Sequence, residues 1–309
     1  MTRFLLSRLA SALGVILGVS CLVFLLVHLV PGDPVEVMLG ESARSGDREM
    51  LRAALGLDRP LIEQLGLYFN RLAHGDLGTS LHSRRPIADL LVERIPATVQ
   101  LAAAALIVAL GLALPLGVTA ALRRGSGWDR GAMALALFGM SVPSFWLGPL
   151  LILLFSMELG WLPVSGREGP TSIILPAVSL GMGMAAILAR MLRSALLEVL
   201  LEDYVRTAYA NGLSPSAVIW RHALPNAALP VVTLLGLQLG ALLGGAVITE
   251  TIFSWPGLGS LIVEAINRRD YPVVQGCVLL ISVVYVMVNT CTDLLYAVLD
   301  PRVRLEITE

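Results

Sequence analysis

The chain has 309 residues, 56% of them hydrophobic and only 15% charged, with a net charge of −1. A soluble domain carries about 25% charged residues, so this composition excludes an ordinary soluble fold, and the near-zero net charge gives no basic surface for nucleic acid. All 22 basic residues are arginine, which removes every chemistry that needs a lysine: a Walker A phosphate loop, a Schiff base, a Ser-Lys dyad.

A hydrocarbon core about 30 Å thick takes about 20 apolar residues in a helix to cross. Six windows qualify: Leu9–Val30, Ala97–Leu122, Ala132–Met157, Ile173–Leu192, Ala227–Ile248 and Cys277–Leu299. They predict an all-α, polytopic membrane protein with six transmembrane helices. Arg3 and Arg8 precede the first window as they would precede a signal peptide. The window is too long for an h-region, however, and Val30-Pro31-Gly32-Asp33 is no small-x-small cleavage site, so it reads as a retained helix. The fourth window is the weakest, interrupted by Pro176 and two glycines. Cys21, Cys277 and Cys291 sit inside apolar blocks without ligand spacing and read as buried small residues.

The chain divides into residues 1–30 (N-terminus and first helix), an outer segment 31–96, and a five-helix core 97–309. In the outer segment Asp47 can cap a helix running to Leu55 that Gly56 ends. Pro60 suits the first turn of a second helix, with Leu61, Leu65, Tyr68, Phe69 and Leu72 on one side, and Gly75-Asp76-Leu77-Gly78 breaks it.

Orientation follows from arginines in short loops. With a cytoplasmic N-terminus, the inner segments hold eleven arginines and the short outer loops three, namely Arg167, Arg268 and Arg269. Both termini are then cytoplasmic.

Segment 193–226, between spans four and five, is long for an inner loop. It predicts two short helices broken at Gly212-Leu213-Ser214-Pro215. The first covers Leu200–Asn211, and the second starts with Ser214 as cap and Pro215 at its first position. Small residues here let another surface approach closely, and Gly212 permits a sharp turn. The segment is either a solvated loop helix or the mechanical link to a soluble motor. Span five carries Gly236, Gly240 and Gly244 at four-residue spacing, a smooth ridge for close packing within this subunit, against a second subunit, or along a pore.

Ionisable groups near the membrane are few. Glu250 ends span five, and Asp293 lies near the inner end of span six, where a salt bridge or cap fits better than a proton relay. No row of intramembrane acids marks an ion-coupled carrier. His28, His74, His82 and His222 form no H-E-x-x-H, and Ser141 sits in no Gly-x-Ser-x-Gly elbow, so neither metal hydrolysis nor serine chemistry is supported. No catalytic residue and no metal ligand is assigned.

Gly212, nine residues, then His222-Ala223-Leu224-Pro225 resembles the EAA loop of binding-protein-dependent ABC importers. The Gly-to-Leu-Pro spacing and Ala208 match that pattern, while Arg206, Thr207 and His222 depart from it as the dipeptide, oligopeptide and nickel permease branch does. Pro31-Gly32-Asp33-Pro34, Gly56-Leu57-Asp58-Arg59-Pro60-Leu61, Ser141-Val142-Pro143-Ser144-Phe145-Trp146, the run Glu250 to Gly259, Arg269 to Gln275, Asp293-Leu294-Leu295-Tyr296 and Asp300-Pro301-Arg302 resemble the same branch in the same order. The resemblance implies a type I importer permease fold (MetI-like) in the bacterial cytoplasmic membrane. It also implies a second homologous permease in a heterodimer, two ATPase subunits and an extracytoplasmic solute-binding protein. ATP and magnesium would bind the partners, leaving this chain without a cofactor and without enzyme activity. Tyr204, Arg206, Thr207, Ala208, Gly212, Leu224 and Pro225 would form the ATPase coupling site. Short peptides rank first as substrate, nickel or a metal chelate second, and an ion-coupled secondary carrier is the remote alternative.

Overall fold

A computed structural model describes residues 2–29, 46, 49, 52 and 58–299. The expected helix from Asp47 to Leu55, the motifs at 31–34 and 56–57, and residues 300–302 lie outside this set or reach it at isolated positions only. The elements are α1 (Thr2–Leu29), α2 (Leu61–Ala73), α3 (Ile87–Leu122), α4 (Gly127–Ser141), α5 (Ser144–Leu151, continued as a π-helical turn over Ile152–Glu158), α6 (Ile174–Val199), α7 (Asp203–Ala210), α8 (Pro215–Ile252), α9 (Leu258–Asn267) and α10 (Tyr271–Leu299). The six predicted windows fall on helix over most of their length, the first up to Leu29 and the third apart from Val142 and Pro143. Among the described residues α3, α6, α8 and α10 are long and apolar enough to cross a membrane. The α4–α5 pair makes a fifth, and α1 carries the shorter apolar stretch Ala10–Leu25.

The third window is not one straight helix. Its halves meet at 102°, because Pro143 forces the preceding Val142 out of the α region, to φ −90° and ψ 113°.

The chain falls into two compact units, one of Thr98–Pro256 and Val288–Glu309, the other of Thr2–Ala97 and Gly257–Met287. In the first unit α6 is the central helix: 61% of its apolar window is buried, against 22–33% in the other long helices. The features that weaken it as a sequence window are what let it pack. Pro176 sits in the first turn, where its missing N–H costs no helix bond. Gly181 meets α3 so closely that a Cβ there would lie 2.5 Å from the Ala105 carbonyl oxygen. On α3 the facing row repeats every fourth residue, from Leu101 through the small Ala105, Ala109 and Ala113, all at most 2% exposed. It ends at Gly117, where a Cβ would lie 2.9 Å from the Ala189 carbonyl oxygen of α6. Small residues at this spacing let two backbones approach, which is how helices associate where lipid removes the hydrophobic drive.

In the second unit α9 buries Leu258, Leu261 and Ala265 against Ile87 and Leu91 at the start of α3 and Val273 and Cys277 of α10. Asp270, 4% exposed, closes the turn before α10. Its carboxylate accepts from Ser80 Oγ (2.5 Å) and from the backbone N–H of Leu81 (3.1 Å) and His82 (3.3 Å). Helix α2 half-buries Leu65, Tyr68, Phe69 and Leu72 as its spacing predicts, with Tyr68 5.6 Å from the Phe24 ring of α1. Leu61 leaves that face, at 53% exposure, and Pro60 stands just before the helix rather than within it. Gly75 and Gly78 break the chain after α2 with φ of +75° and +82°. Helix α3 starts at Ile87, so Pro96 lies inside a continuous helix and no element ends between residues 96 and 97.

Candidate coupling surface

Segment 193–226 is less loop than its length suggests. Helix α6 continues to Val199, and the second of the two expected short helices is the first turns of α8, which runs unbroken from Pro215 to Ile252. Ser214 caps it by accepting from the Ala217 N–H at 3.4 Å, with Pro215 at the first position. Pro225 has no N–H for the Arg221 carbonyl and its ring crowds that oxygen. The preceding turn, Val218–Ala223, widens to π-helix, and the helix continues instead of stopping at the proline.

Helix α7 is therefore an isolated two-turn helix slung between two spans. Its inward face is Val205 (1% exposed) and Ala208 (7%), packed on Val218 of α8 with Val199 and Leu200 alongside. Ala208, among the expected coupling residues, is thus turned inward onto α8. The outward face is Asp203, Tyr204, Arg206, Thr207 and Tyr209. Thr207 Oγ1 donates to the Asp203 carbonyl at 2.9 Å, and Arg206 pairs loosely with Asp203 at 3.4 Å. Partial burial raises the Tyr204 phenol above its ordinary pKa; Glu202 adds to this, and a hydrogen bond with Asn226 of α8 lowers it. Asn226 itself donates to the His222 carbonyl of α8 at 2.7 Å.

Gly212 ends the excursion. Its φ is +80° and the space a Cβ would take is empty, so it is the backbone conformation that demands glycine here. Its N–H donates to the Tyr209 carbonyl at 3.0 Å. Leu224 is half-buried and Pro225 exposed. Leu201, Tyr209, Leu213 and Trp220 add exposed apolar area, with Leu201 at 66% and Trp220 at 60%. Sequence reasoning did not single these four out as a surface. The signal was the small pair Val205 and Ala208 at i, i+3, which fixes the inward face and so the outward one.

The glycine ridge divides. Gly236 is buried, and a Cβ on it would overlap the Thr292 side chain of α10, so this end packs inside the subunit. Gly240 is buried too. Gly244 is exposed, with open space around it, while Gly245 faces Leu180 of α6. Steps of four residues drift around a helix of 3.6 residues per turn, so one row faces two environments. The side chain of Asp293 lies outside the described residues.

Two polar constellations flank the spans. Asp129, at the start of α4, is held by Arg193 of α6 through two bonds (Nε–Oδ1 2.6 Å, Nη2–Oδ2 2.8 Å) and by the Gly125 N–H at 2.9 Å. Opposite charges at the ends of two apolar windows, Asp129 before the third and Arg193 after the fourth, were the legible signal for this pair. At the other end, Glu250 is fully buried and accepts from Thr98 Oγ1 at 2.7 Å. Arg167 donates to Gln100 Oε1 at 2.6 Å and lies 5.8 Å from the Trp255 ring centroid. Beside the Asp129–Arg193 pair opens a cavity of about 510 Å³ whose lining includes Met133, Ile187, Arg190, Met191 and Ser194. It is assembled from three helices, so no sequence window announces it. Its mixture of flexible apolar side chains with cationic and hydroxyl groups suits a small solute with both apolar and anionic parts.

Residues 113–305 match the family described as binding-protein-dependent transport system inner membrane component, and residues 1–102 match the N-terminal region of such membrane components. The chain is 47% identical to the di/tripeptide transport system permease protein of Pseudomonas aeruginosa, with 98% of this chain and 99% of the relative covered. Over the same shares it is 45% identical to the dipeptide transport system permease protein of Escherichia coli K12 and 43% identical to a glutathione transport system permease protein of Escherichia coli. Its fold is similar to the methionine ABC transporter MetNI in inward-facing conformations (TM-score 0.58, 20% identity, 68% of this chain and 96% of that one). It is also similar to an amino acid ABC transporter (TM-score 0.52, 15% identity, 70% and 94% covered).

Proposed function

The chain belongs to the family of inner membrane components of binding-protein-dependent transport systems, and from that premise we propose that it is the permease subunit of an importer of short peptides. Membership brings ATPase and solute-binding partners. The carrying observation for peptides is the 43–47% identity, over 98% of the chain, with permeases for di/tripeptides, dipeptides and glutathione. Nickel has no such support among these relatives.

In this reading α7 seats in a groove of a cytoplasmic ATPase through Tyr204, Arg206, Thr207 and Tyr209. Ala208, Gly212 and the Leu224-Pro225 turn hold it rather than touch the partner. A second, homologous permease supplies the other half of the pathway, and both termini are cytoplasmic. Closure of the ATPases moves α7. Because α7 is clipped to α8 by the packing of Val205 and Ala208 on Val218, α8 and α6 follow, and the cavity beside Arg190 changes sides by alternating access. ATP and magnesium act in the partners; this chain supplies no catalytic group.

Uptake by proteoliposomes holding the whole assembly tests the reading. A labelled dipeptide is expected to accumulate only with ATP inside and binding protein outside. Nickel accumulating under these conditions while di- and tripeptides do not would assign the metal instead.

A further inference from the structure

Between the C-terminal end of α3 and the N-terminal end of α4 lies an apolar groove of about 530 Å³, within the first unit. Pro115 and Leu116 form one wall, and Trp128 and Leu135 the other. Gly127 and Gly131 line it one turn apart, and the space that a side chain would take at either is open. The groove therefore runs as a smooth track along α4. The turn between the helices, which leads into Gly127 and Trp128 of the groove wall, carries Arg123 and Arg124. The Arg123 guanidinium lies 5.2 Å from the centroid of the Trp128 ring. Among the described residues neither arginine is in an ion pair. The neighbouring carboxylate, Asp129, faces α6 and is paired with Arg193, while Arg124 acts on it only at longer range.

We propose that this groove holds an acyl chain of an anionic phospholipid, whose phosphate is bound by Arg123 and Arg124. The amphipathic Trp128 sits where the two chemistries meet, as tryptophans do at the membrane–water boundary. A guanidinium binds phosphate through two parallel N–H donors, and stacking on an aromatic face keeps Arg123 oriented for it. Charge complementarity selects the occupant. A zwitterionic lipid would fill the track equally well but would bring no net charge to two arginines that have no ion pair among the described residues, and anionic lipid concentrates at basic residues beside a membrane span. The site is independent of what the protein transports.

Native mass spectrometry of the full chain, with the subunits that co-purify, tests this after equilibration with equal mole parts of phosphatidylglycerol and phosphatidylcholine. The wild type is expected to retain phosphatidylglycerol several-fold over phosphatidylcholine. Gly131→Leu replaces a helix-interior glycine with a better helix former and extends into open space, so it keeps the fold while filling the track; retained lipid of both kinds should fall. Arg123→Gln with Arg124→Gln leaves the track intact and should abolish the preference for the anionic lipid. Equal retention of the two lipids by the wild type overturns the proposal. So does wild-type retention in both variants, or a wild type that carries no lipid because a second protein chain covers Trp128.

Discussion

Gly212 is the residue at which local conformation and proposed function meet. With φ at +80°, any side chain costs about 1–2 kcal/mol locally, but nothing stands near enough to clash. Gly212→Asp or Gly212→Val should therefore leave insertion and the packing of the spans near normal. Uptake should fall to background, because strain in the turn displaces α7 and a docked helix tolerates little displacement. Membrane-fraction yield alongside ATP-driven uptake reads the two effects separately. Normal uptake by both variants would make the turn a passive connection. The glycine, its spacing to Leu224-Pro225 and the Ser214-Pro215 helix start were all legible, since each is a local backbone requirement. The inward turn of Ala208 was not, because it depends on Val218, a residue of the next helix.

At the scale of elements, glycines that look alike in sequence do different work. Gly236 has the Thr292 side chain where its own Cβ would be, and Gly244 has open space. Leu at Gly236 forces α8 and α10 apart, an overpacking cost of about 1–3 kcal/mol, and the wider gap weakens dispersion attraction along both helices. Gly236→Leu is expected to lower the thermal stability of the purified chain, while Gly244→Leu leaves it unchanged. If Gly244→Leu damages transport or assembly, that residue meets a second subunit or the pathway. Equal stability of the two variants would mean that α8 and α10 do not approach as described. The spacing announced a ridge but not its neighbours. The small row on α3, from Ala105 to Gly117, is hard to see for the opposite reason: a run so rich in alanine shows no contrast between its faces. The bend at Pro143 hid inside an apolar window because hydropathy counts residues and is blind to a proline's effect on the residue before it.

For the whole molecule, the sequence reads best where physics is one-dimensional. Length and apolarity find the helices, and arginine placement gives a direction. Contacts that join distant windows, such as Thr98 with Glu250 or Asp129 with Arg193, need the third dimension, though in each case the residue types hinted at a partner. Direction itself has a direct test. With the three native cysteines replaced, a cysteine at Asn70, on exposed α2, and one at Ala210, on exposed α7, present themselves to opposite sides if eleven inner arginines against three outer ones set the topology. A membrane-impermeant maleimide should label Asn70→Cys in intact spheroplasts and Ala210→Cys only after the membrane is opened. The same Ala210 position should lose its labelling in opened vesicles when the ATPase partners are bound, because α7 then lies at a protein interface. Reversed labelling would place α7 outside the cell, where no ATPase could reach it, and the coupling role would fall with the orientation. Unchanged labelling on adding the ATPases would keep the orientation and remove only the contact.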